Sequence, residues 1–274
     1  MADKAIYSCD TASSLGSTNK IYINTGNNIR QITAKDISAV LLTQLKLYAY
    51  TGKNLGTSYT AAQQAEVNAG TFNGLNIGDY WVINGINWRI WDIDWYLNKG
   101  DTSCSSHHLV IIPDSALLTA NGNTTHYMNA TNTSVGGYVG TDYRNTYRAQ
   151  CLEKVKTAFG DHVLKHRELM CNGISSSGTA NSWTWTDADV ELPSEIMMYG
   201  STVWSNSGYN TGTAHPQLEL ARLCPKWVVN RSINYWLRDV AGSSSFACVY
   251  NYGSAGRCGA SDAWDCVRPY FLLH

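Results

Sequence analysis

Two stretches of the sequence carry side chains of the types that bind metal ions. Residues 104–108 (CSSHH) offer a thiol and two imidazoles, which are zinc ligands, but no second cysteine stands at the spacing of a zinc site. His162 and His166 lie four residues apart in a strand-like stretch, which would hold their rings apart. We therefore predict structural roles for these residues and no metal site or cofactor.

A pair of carboxylates, Asp92 and Asp94, falls on one face of a predicted strand. Paired carboxylates can divide the acid and base roles of a catalytic reaction. No second group of carboxylates accompanies this pair, so we predict that the two side chains cap loops or lie at the surface of a hairpin.

Residues 239–266 have an unusual composition. They include no Lys, Glu, Gln, Met, Leu, Ile, Thr or Pro, and every residue except Trp264 has a codon that ends in a pyrimidine. Randomising the adenines of AAY and AGY codons gives only codons that end in a pyrimidine, and these exclude Lys, Glu, Gln and Met. The flanking residues 235–238 and 267–273 read as buried strands. The pattern indicates a randomised surface on a fixed frame, which is useful against a partner that changes.

The frame YWLRDV…FA.V…G.A…AS….VRP.F resembles the C-terminal domain of phage variable proteins that are diversified by retroelements. The similarity extends over roughly residues 70–274, and the family has Gly where this chain has Cys266. It implies a C-type-lectin-like fold, closely related to the formylglycine-generating-enzyme fold. It also implies a receptor-binding protein at a phage tail tip, in the virion.

The resemblance also divides the tail into frame and contact positions. Phe246, Ala247, Val249, Gly253 and Val267, with Arg268, correspond to the frame. Large Tyr, Trp and Arg side chains among Ser and Gly suit recognition, because they give much contact area for few rotatable bonds. The predicted ligand-binding residues are Ser245, Cys248, Tyr250, Asn251, Tyr252, Ser254, Gly256, Arg257, Cys258, Gly259, Asp262 and Trp264.

The whole chain reads as an α+β protein in two parts. Residues 1–58 form a small β-β-α module that ends in a linker at 51–58, and residues 59–274 form the lectin-like domain with short strands, two or more helices and long loops. The helix predicted after Thr33 carries an apolar stripe, consisting of Ile37, Leu41, Leu45 and Tyr48. The module is similar to the attachment motif of phage tail and fibre proteins; an ordinary N-terminal extension is the alternative.

Several local patterns predict individual elements of the larger domain. Asn84-Gly85 between apolar runs predicts a type I′ hairpin, and the shift of apolar phase after Ile90 predicts a bulge or burial on both faces. Apolar residues recur every four positions over 141–159, which predicts a helix that ends at Gly160. Further helices are predicted over 59–68, 194–199 and 217–223, strands over 109–112 and 162–170, and long loops over 119–140, 172–188 and 201–215.

Bulk composition excludes some classes of partner. The net charge is −1 and no Lys or Arg cluster occurs, which argues against nucleic acid as a ligand. No apolar run approaches the ~20 residues that span a bilayer, and the first residues read as no signal peptide. We expect synthesis in the host cytoplasm with all eight cysteines reduced; a Cys248–Cys258 bridge across a hairpin is the alternative.

The predicted function is recognition of a host-cell surface protein or glycan, by a homotrimer that joins other tail proteins through its N-terminal module. A structural tail or capsid-decoration protein is the first alternative. The second is an enzyme, since formylglycine-generating enzymes use a cysteine pair near the C-terminus and Cys258 with Cys266 is similarly placed. Cysteine is an expected product of the randomised codons, and Arg257 alone is weak support for a reactive thiol, so we predict no enzyme activity.

Overall fold

The computed structural model describes residues 20–24, 29–33, 50–118, 126–205, 217–229 and 233–274. The chain divides into two compact units, Met1–Leu47 and Tyr48–His274. In the smaller unit, β1 (Lys20–Asn24) and β2 (Ile29–Thr33) form the antiparallel pair that the sequence predicts. The predicted helix after Thr33 and its apolar stripe lie outside the described residues.

The larger unit is α+β, with few helices and several antiparallel sheets. Its elements are α1 (Ala61–Asn68), β3 (Tyr80–Ile83), β4 (Ile86–Ile93), β5 (Leu109–Pro113), α2 (Arg148–Phe159, preceded by a π-helical turn at Tyr143–Tyr147), β6 (His166–Ile174), β7 (Ala180–Ala188), β8 (Val190–Glu191), α3 (Glu195–Tyr199), α4 (Glu219–Leu223, followed by a 3₁₀ turn at Pro225–Trp227), β9 (Tyr235–Gly242), β10 (Ser245–Val249), β11 (Ala255–Gly259) and β12 (Tyr270–Leu273).

A five-stranded sheet in the order β3-β4-β5-β12-β8 forms the core of the larger unit. The last strand, β12, lies between β5 and β8 and is antiparallel to both. Helix α2 packs Phe159 against this sheet, where its ring makes edge contacts with Trp88 (5.4 Å between centroids) and lies 5.4 Å from the ring of Phe271. The sheet and helix therefore fix the end of the chain at the centre of the unit. No helix among the described residues has both the length and the apolar character that crossing a bilayer requires.

The predicted hairpin and its irregularity are both confirmed. Asn84 and Gly85 have φ angles of 53° and 75°, as a type I′ turn requires, and they join β3 to β4. The register of β4 on β5 shifts between Ile90 and Asp92, and residues 88–91 of β4 are all buried. A bulge and burial on both faces thus occur together.

The helix predicted over 141–159 is also confirmed, although its first turn is π-helical and the α-helix begins at Arg148. A π-helical turn precedes α2, whose buried residues are Cys151, Val155 and Phe159. Gly160 ends the helix with a φ of 63°. Ser194 caps α3, which also agrees with the predicted short helix.

Two predicted loop segments differ from the structure. Residues 51–58 do not form a free linker, because Tyr80 donates a hydrogen bond to the Lys53 carbonyl and its own carbonyl accepts one from Leu55, so this stretch runs along the edge of β3. Residues 172–188 form no long loop either: β6 and β7 pair as a hairpin whose turn lies at residues 175–179. The Gly and Ser residues that suggested a loop lie at and next to this turn.

A buried polar cluster ties β9 to the rest of the unit. The Arg238 guanidinium on β9 contacts the carboxylate of Glu168 on β6, which also accepts a hydrogen bond from the Tyr270 hydroxyl on β12. His166 Nε2 lies 2.7 Å from the same carboxylate. All four side chains are buried, so the start of the tail is held by partners from two other sheets.

Candidate ligand-binding surface

Strands β9, β10 and β11 form a three-stranded meander that carries most of residues 239–266. On β10, Phe246 lies opposite Cys258 and Ala247 lies opposite Arg257. The register between β10 and β9 is interrupted on both sides of Phe246. These interruptions allow four consecutive residues of β10, 246–249, to be buried.

Five of the six frame positions are buried. Phe246, Ala247, Val249 and Val267 are fully inaccessible, and Arg268 is 2% exposed. Arg268 donates hydrogen bonds to the carbonyls of Pro113 (2.8 Å) and Trp227 (3.1 Å), so its charge is satisfied inside the protein. The sixth position, Gly253, has a φ of 95°, and a Cβ there would lie 2.5 Å from a Val229 methyl group.

The predicted contact residues fall into three groups by exposure. Asn251, Tyr252, Ser254, Arg257 and Trp264 are exposed, and the Tyr252 and Trp264 residues expose 72% and 77% of their surface. Another four are half-buried: Ser245, Tyr250, Gly259 and Asp262. The remaining three, Cys248, Gly256 and Cys258, are buried, so they shape the surface from below.

Tyr250 and Tyr252 form a stacked pair, with 5.6 Å between ring centroids. The Tyr250 ring lies over Gly256, where a Cβ would come within 2.5 Å of it. The absence of a side chain at Gly256 therefore lets the pair lie close to β11, next to Arg257.

The structure adds Trp204 to this surface, which sequence reasoning missed. The Arg257 guanidinium lies 5.1 Å from the Trp204 ring centroid, in a cation–π contact. The only sequence signal was the length of the 201–215 loop, and it singled out no residue. We call the exposed and half-buried side chains of Trp204, Tyr250, Asn251, Tyr252 and Arg257 the tail surface.

Helix α3 supports the tail surface at two points. The buried Glu195 carboxylate accepts hydrogen bonds from the backbone N–H groups of Trp204 and Ser205, each at 3.0 Å, and one from the Ser205 hydroxyl at 2.7 Å. At the other end of the helix, the Tyr199 hydroxyl donates to the Gly253 carbonyl at 3.2 Å. One short helix thus fixes both the Trp204 loop and the turn that carries the tyrosine pair.

The expectation that all cysteines are reduced is wrong for one pair. Cys248 and Cys258 form a disulfide across β10 and β11, with 6.3 Å between their Cα atoms. Cys266 is a free buried thiol, and burial raises its pKa to about 12. The Cys258–Cys266 pair of the enzyme alternative is therefore not formed, and Cys266 stays protonated, hence weakly nucleophilic, at neutral pH.

Asp265 lies beside this disulfide and is fully buried. No well-formed hydrogen bond reaches its two carboxylate oxygens among the described residues, and the Asn234 side chain is the polar group beside them. Burial raises the pKa of this carboxyl to about 7, against a smaller opposing effect of the Asn234 side chain.

The other polar candidates have structural partners. Asp92 accepts a hydrogen bond from the Glu219 N–H at 2.8 Å, at the start of α4, and Asp94 accepts one from the His108 N–H at 2.9 Å. Asp94 therefore caps a loop, which is one of the two predicted roles, whereas Asp92 caps the start of a helix. His162 and His166 contact different residues, and the structure does not bring them together.

Comparisons with known proteins leave the site to be interpreted from its own geometry. No family model, no curated protein and no solved structure matches this chain. The functional argument therefore rests on the tail surface and on the frame that holds it.

Proposed function

We propose that this chain is a phage tail-tip receptor-binding protein, and that its larger unit is a C-type-lectin-like domain. The tail surface would contact a protein or glycan on the host cell. The observation that carries the proposal is the unbroken series of contacts from Tyr252 through Tyr250, Gly256 and Arg257 to Trp204.

The chemistry of this series supports recognition. Exposed Tyr, Trp and Arg side chains are the types that contribute most to binding energy at protein interfaces. Only 15% of the chain is charged, and Arg257 forms no ion pair within the described residues. Its guanidinium is therefore free to pair with an acceptor on a ligand while it stacks on Trp204.

The frame supports variation of the surface. Phe246, Ala247 and Val249 are buried in β10. The exposed residues follow them in the sequence, at positions 251, 252, 254 and 257. Substitution at the exposed positions changes the chemistry presented to a ligand and leaves the buried contacts unchanged. Such a surface suits the retroelement-driven diversification that the tail composition indicates.

For the smaller unit we propose attachment to other tail proteins and assembly of a homotrimer, in a virion that forms in the host cytoplasm. This proposal is supported by the division of the chain, in which residues 1–47 form a separate compact unit that contains the β1–β2 hairpin. The tail surface belongs to the larger unit, so each unit would have one task.

Binding of the labelled protein to a panel of intact bacterial strains tests the receptor-binding proposal. We expect saturable binding to a subset of strains, displaced by unlabelled protein. Absence of saturable binding to every strain would favour the structural tail or capsid-decoration role. Sequencing the gene neighbourhood tests the diversification separately: we expect a reverse transcriptase gene and a near-duplicate of the 3′ end.

A further inference from the structure

A second cluster of reactive side chains lies below the tail surface. The Sγ atoms of Cys248 and Cys258 and a carboxylate oxygen of Asp265 all lie within 4.8 Å of one another. Within the described ranges, this is the one group of three His, Cys, Asp or Glu residues whose ligand atoms are close enough to hold a metal ion. None of the contacts that build the tail surface uses these atoms.

The Asp265 carboxylate provides an independent reason to expect a ligand here. It is fully buried, and in the described part of the chain its carboxylate has the Asn234 side chain beside it but no well-formed hydrogen bond and no ion pair. Its backbone is fixed, because the Asp265 carbonyl accepts a hydrogen bond from the His126 N–H at 2.8 Å. A buried carboxylate without a cationic partner is costly, and a cation bound between it and two thiolates would reduce that cost.

The strand geometry suits two thiolates as well as a disulfide. Cys248 lies opposite Gly256 on β11, so Cys258 is its diagonal neighbour. The Cα–Cα distance of 6.3 Å is near the upper end of the range for disulfides, about 4.4–6.8 Å. Zinc–sulfur bonds of about 2.3 Å in a tetrahedral site place two sulfurs roughly 3.8 Å apart, which side-chain rotation can provide.

We propose that the reduced protein binds Zn²⁺ through Cys248, Cys258 and Asp265. Thiolate sulfur with carboxylate oxygen is a zinc donor set, and zinc accepts four ligands without changing its oxidation state. The proposal does not depend on receptor binding, since it concerns the buried side of β10 and β11.

The chemistry requires a reductant, for which a phosphine is suitable. One phosphine and one water molecule convert the disulfide into two thiols and a phosphine oxide; the sulfurs take up two electrons and two protons. Zinc then displaces both thiol protons. In the oxidised protein only the Asp265 carboxylate remains as a ligand, so the same ion would not be held.

The test is a zinc titration of the full chain against a chromophoric chelator, before and after phosphine reduction. Reduced wild-type protein should bind one equivalent of Zn²⁺, and Co²⁺ in its place should show a thiolate-to-cobalt absorption band. Cys258→Ser should lose the site, and Asp265→Asn should weaken it about tenfold or more. Cys224→Ser, which changes a free cysteine outside the cluster, is the matched control and should bind like the wild type.

Comparison of oxidised and reduced wild-type protein needs no variant, so a variant that fails to fold does not affect it. Equal zinc affinity of the two redox forms would overturn the proposal. So would a folded Cys258→Ser protein that binds zinc as tightly as the reduced wild type. Binding that appears on reduction and disappears with Cys258 would support it, whether or not the protein recognises a host cell.

Discussion

At the residue scale, Asp92 shows how one buried carboxyl links stability to pH. Burial raises its pKa to about 7, although the backbone N–H groups of Glu219 and Ile93 favour the ionised form. The pKa of an unfolded aspartate is about 4. Between these values the folded protein keeps a proton that the unfolded chain has released. This contribution to stability is therefore present below about pH 4 and is lost as the pH rises towards 7.

His108 acts in the opposite direction. Burial lowers the pKa of its imidazole to about 4, from the usual value of about 6.5. The unfolded chain then binds a proton that the folded protein does not, so stability is lost as the pH falls from about 6.5 to about 4. The two residues offset each other over most of this range, and substitution of one residue reveals its own contribution.

We expect Asp92→Asn to lower the free energy of unfolding more at pH 5 than at pH 8. The difference between the two losses should be about 1–3 kcal/mol. At pH 5 the substitution removes a favourable protonated carboxyl, whereas at pH 8 it removes a buried charge. Urea unfolding of both proteins at both pH values measures the difference. Asp161→Asn, at an exposed carboxylate, is the control, and an equal loss for Asp92→Asn at both pH values would refute the assignment.

At the element scale, the β6–β7 turn packs closely against the β9–β10 turn. Gly178 has a φ of 81°, and a Cβ on it would lie 2.2 Å from the backbone nitrogen of Ser243. Backbone cannot move aside as a side-chain end can, so this approach requires glycine. The contact matters for the proposed function because the β9–β10 turn joins two strands of the meander that carries the tail surface.

Gly178→Ala should therefore lower the free energy of unfolding by about 1–3 kcal/mol more than a glycine substitution that is strained by φ alone. Gly74→Ala is the matched control, since its φ is 76° and a Cβ there would have no other atom within 4 Å. Chemical denaturation of the two variants gives the comparison. If the two variants lose equal free energy of unfolding, the close contact between the two turns does not contribute to stability.

Elements that depend on neighbouring residues could be predicted from the sequence. Asn84-Gly85 specifies its own turn, and the spacing of Cys151, Val155 and Phe159 specifies one face of α2. The β6–β7 hairpin was missed because Gly and Ser residues at its turn hide the strands on either side. Local patterns thus suffice where one segment determines its own shape.

Features that depend on strand register could not be predicted in this way. The Cys248–Cys258 bridge and the approach of Asp265 follow from how β10 pairs with β11 and where the next loop returns. Trp204 contacts Arg257 from a loop that Glu195 holds by hydrogen bonds, and the sequence does not show this pairing. Frame and contact positions came instead from the resemblance, and their burial and exposure largely follow that division.

At the scale of the whole molecule, the two units allow the proposed assembly and the proposed recognition to be tested separately. The larger unit begins at Tyr48, and residues 53–56 hydrogen-bond to β3, so a truncation should remove residues 1–47 and keep the rest. We expect the full chain to be a trimer and the truncated protein to be a folded monomer, as measured by light scattering and circular dichroism. A truncated protein that is still trimeric would place assembly in the larger unit.

The central claim is that the tail surface binds a ligand while the buried frame carries the fold. The most direct measurement replaces Tyr250, Tyr252 and Arg257 together by Ala, and records bacterial-cell binding and Tm on the same samples. Arg222→Ala, at an exposed arginine outside the tail, is the control. We predict that the triple variant loses binding, that its Tm stays within a few degrees of the wild type, and that the control keeps both properties. A triple variant that unfolds early, or that binds cells as well as the wild type, would contradict the claim.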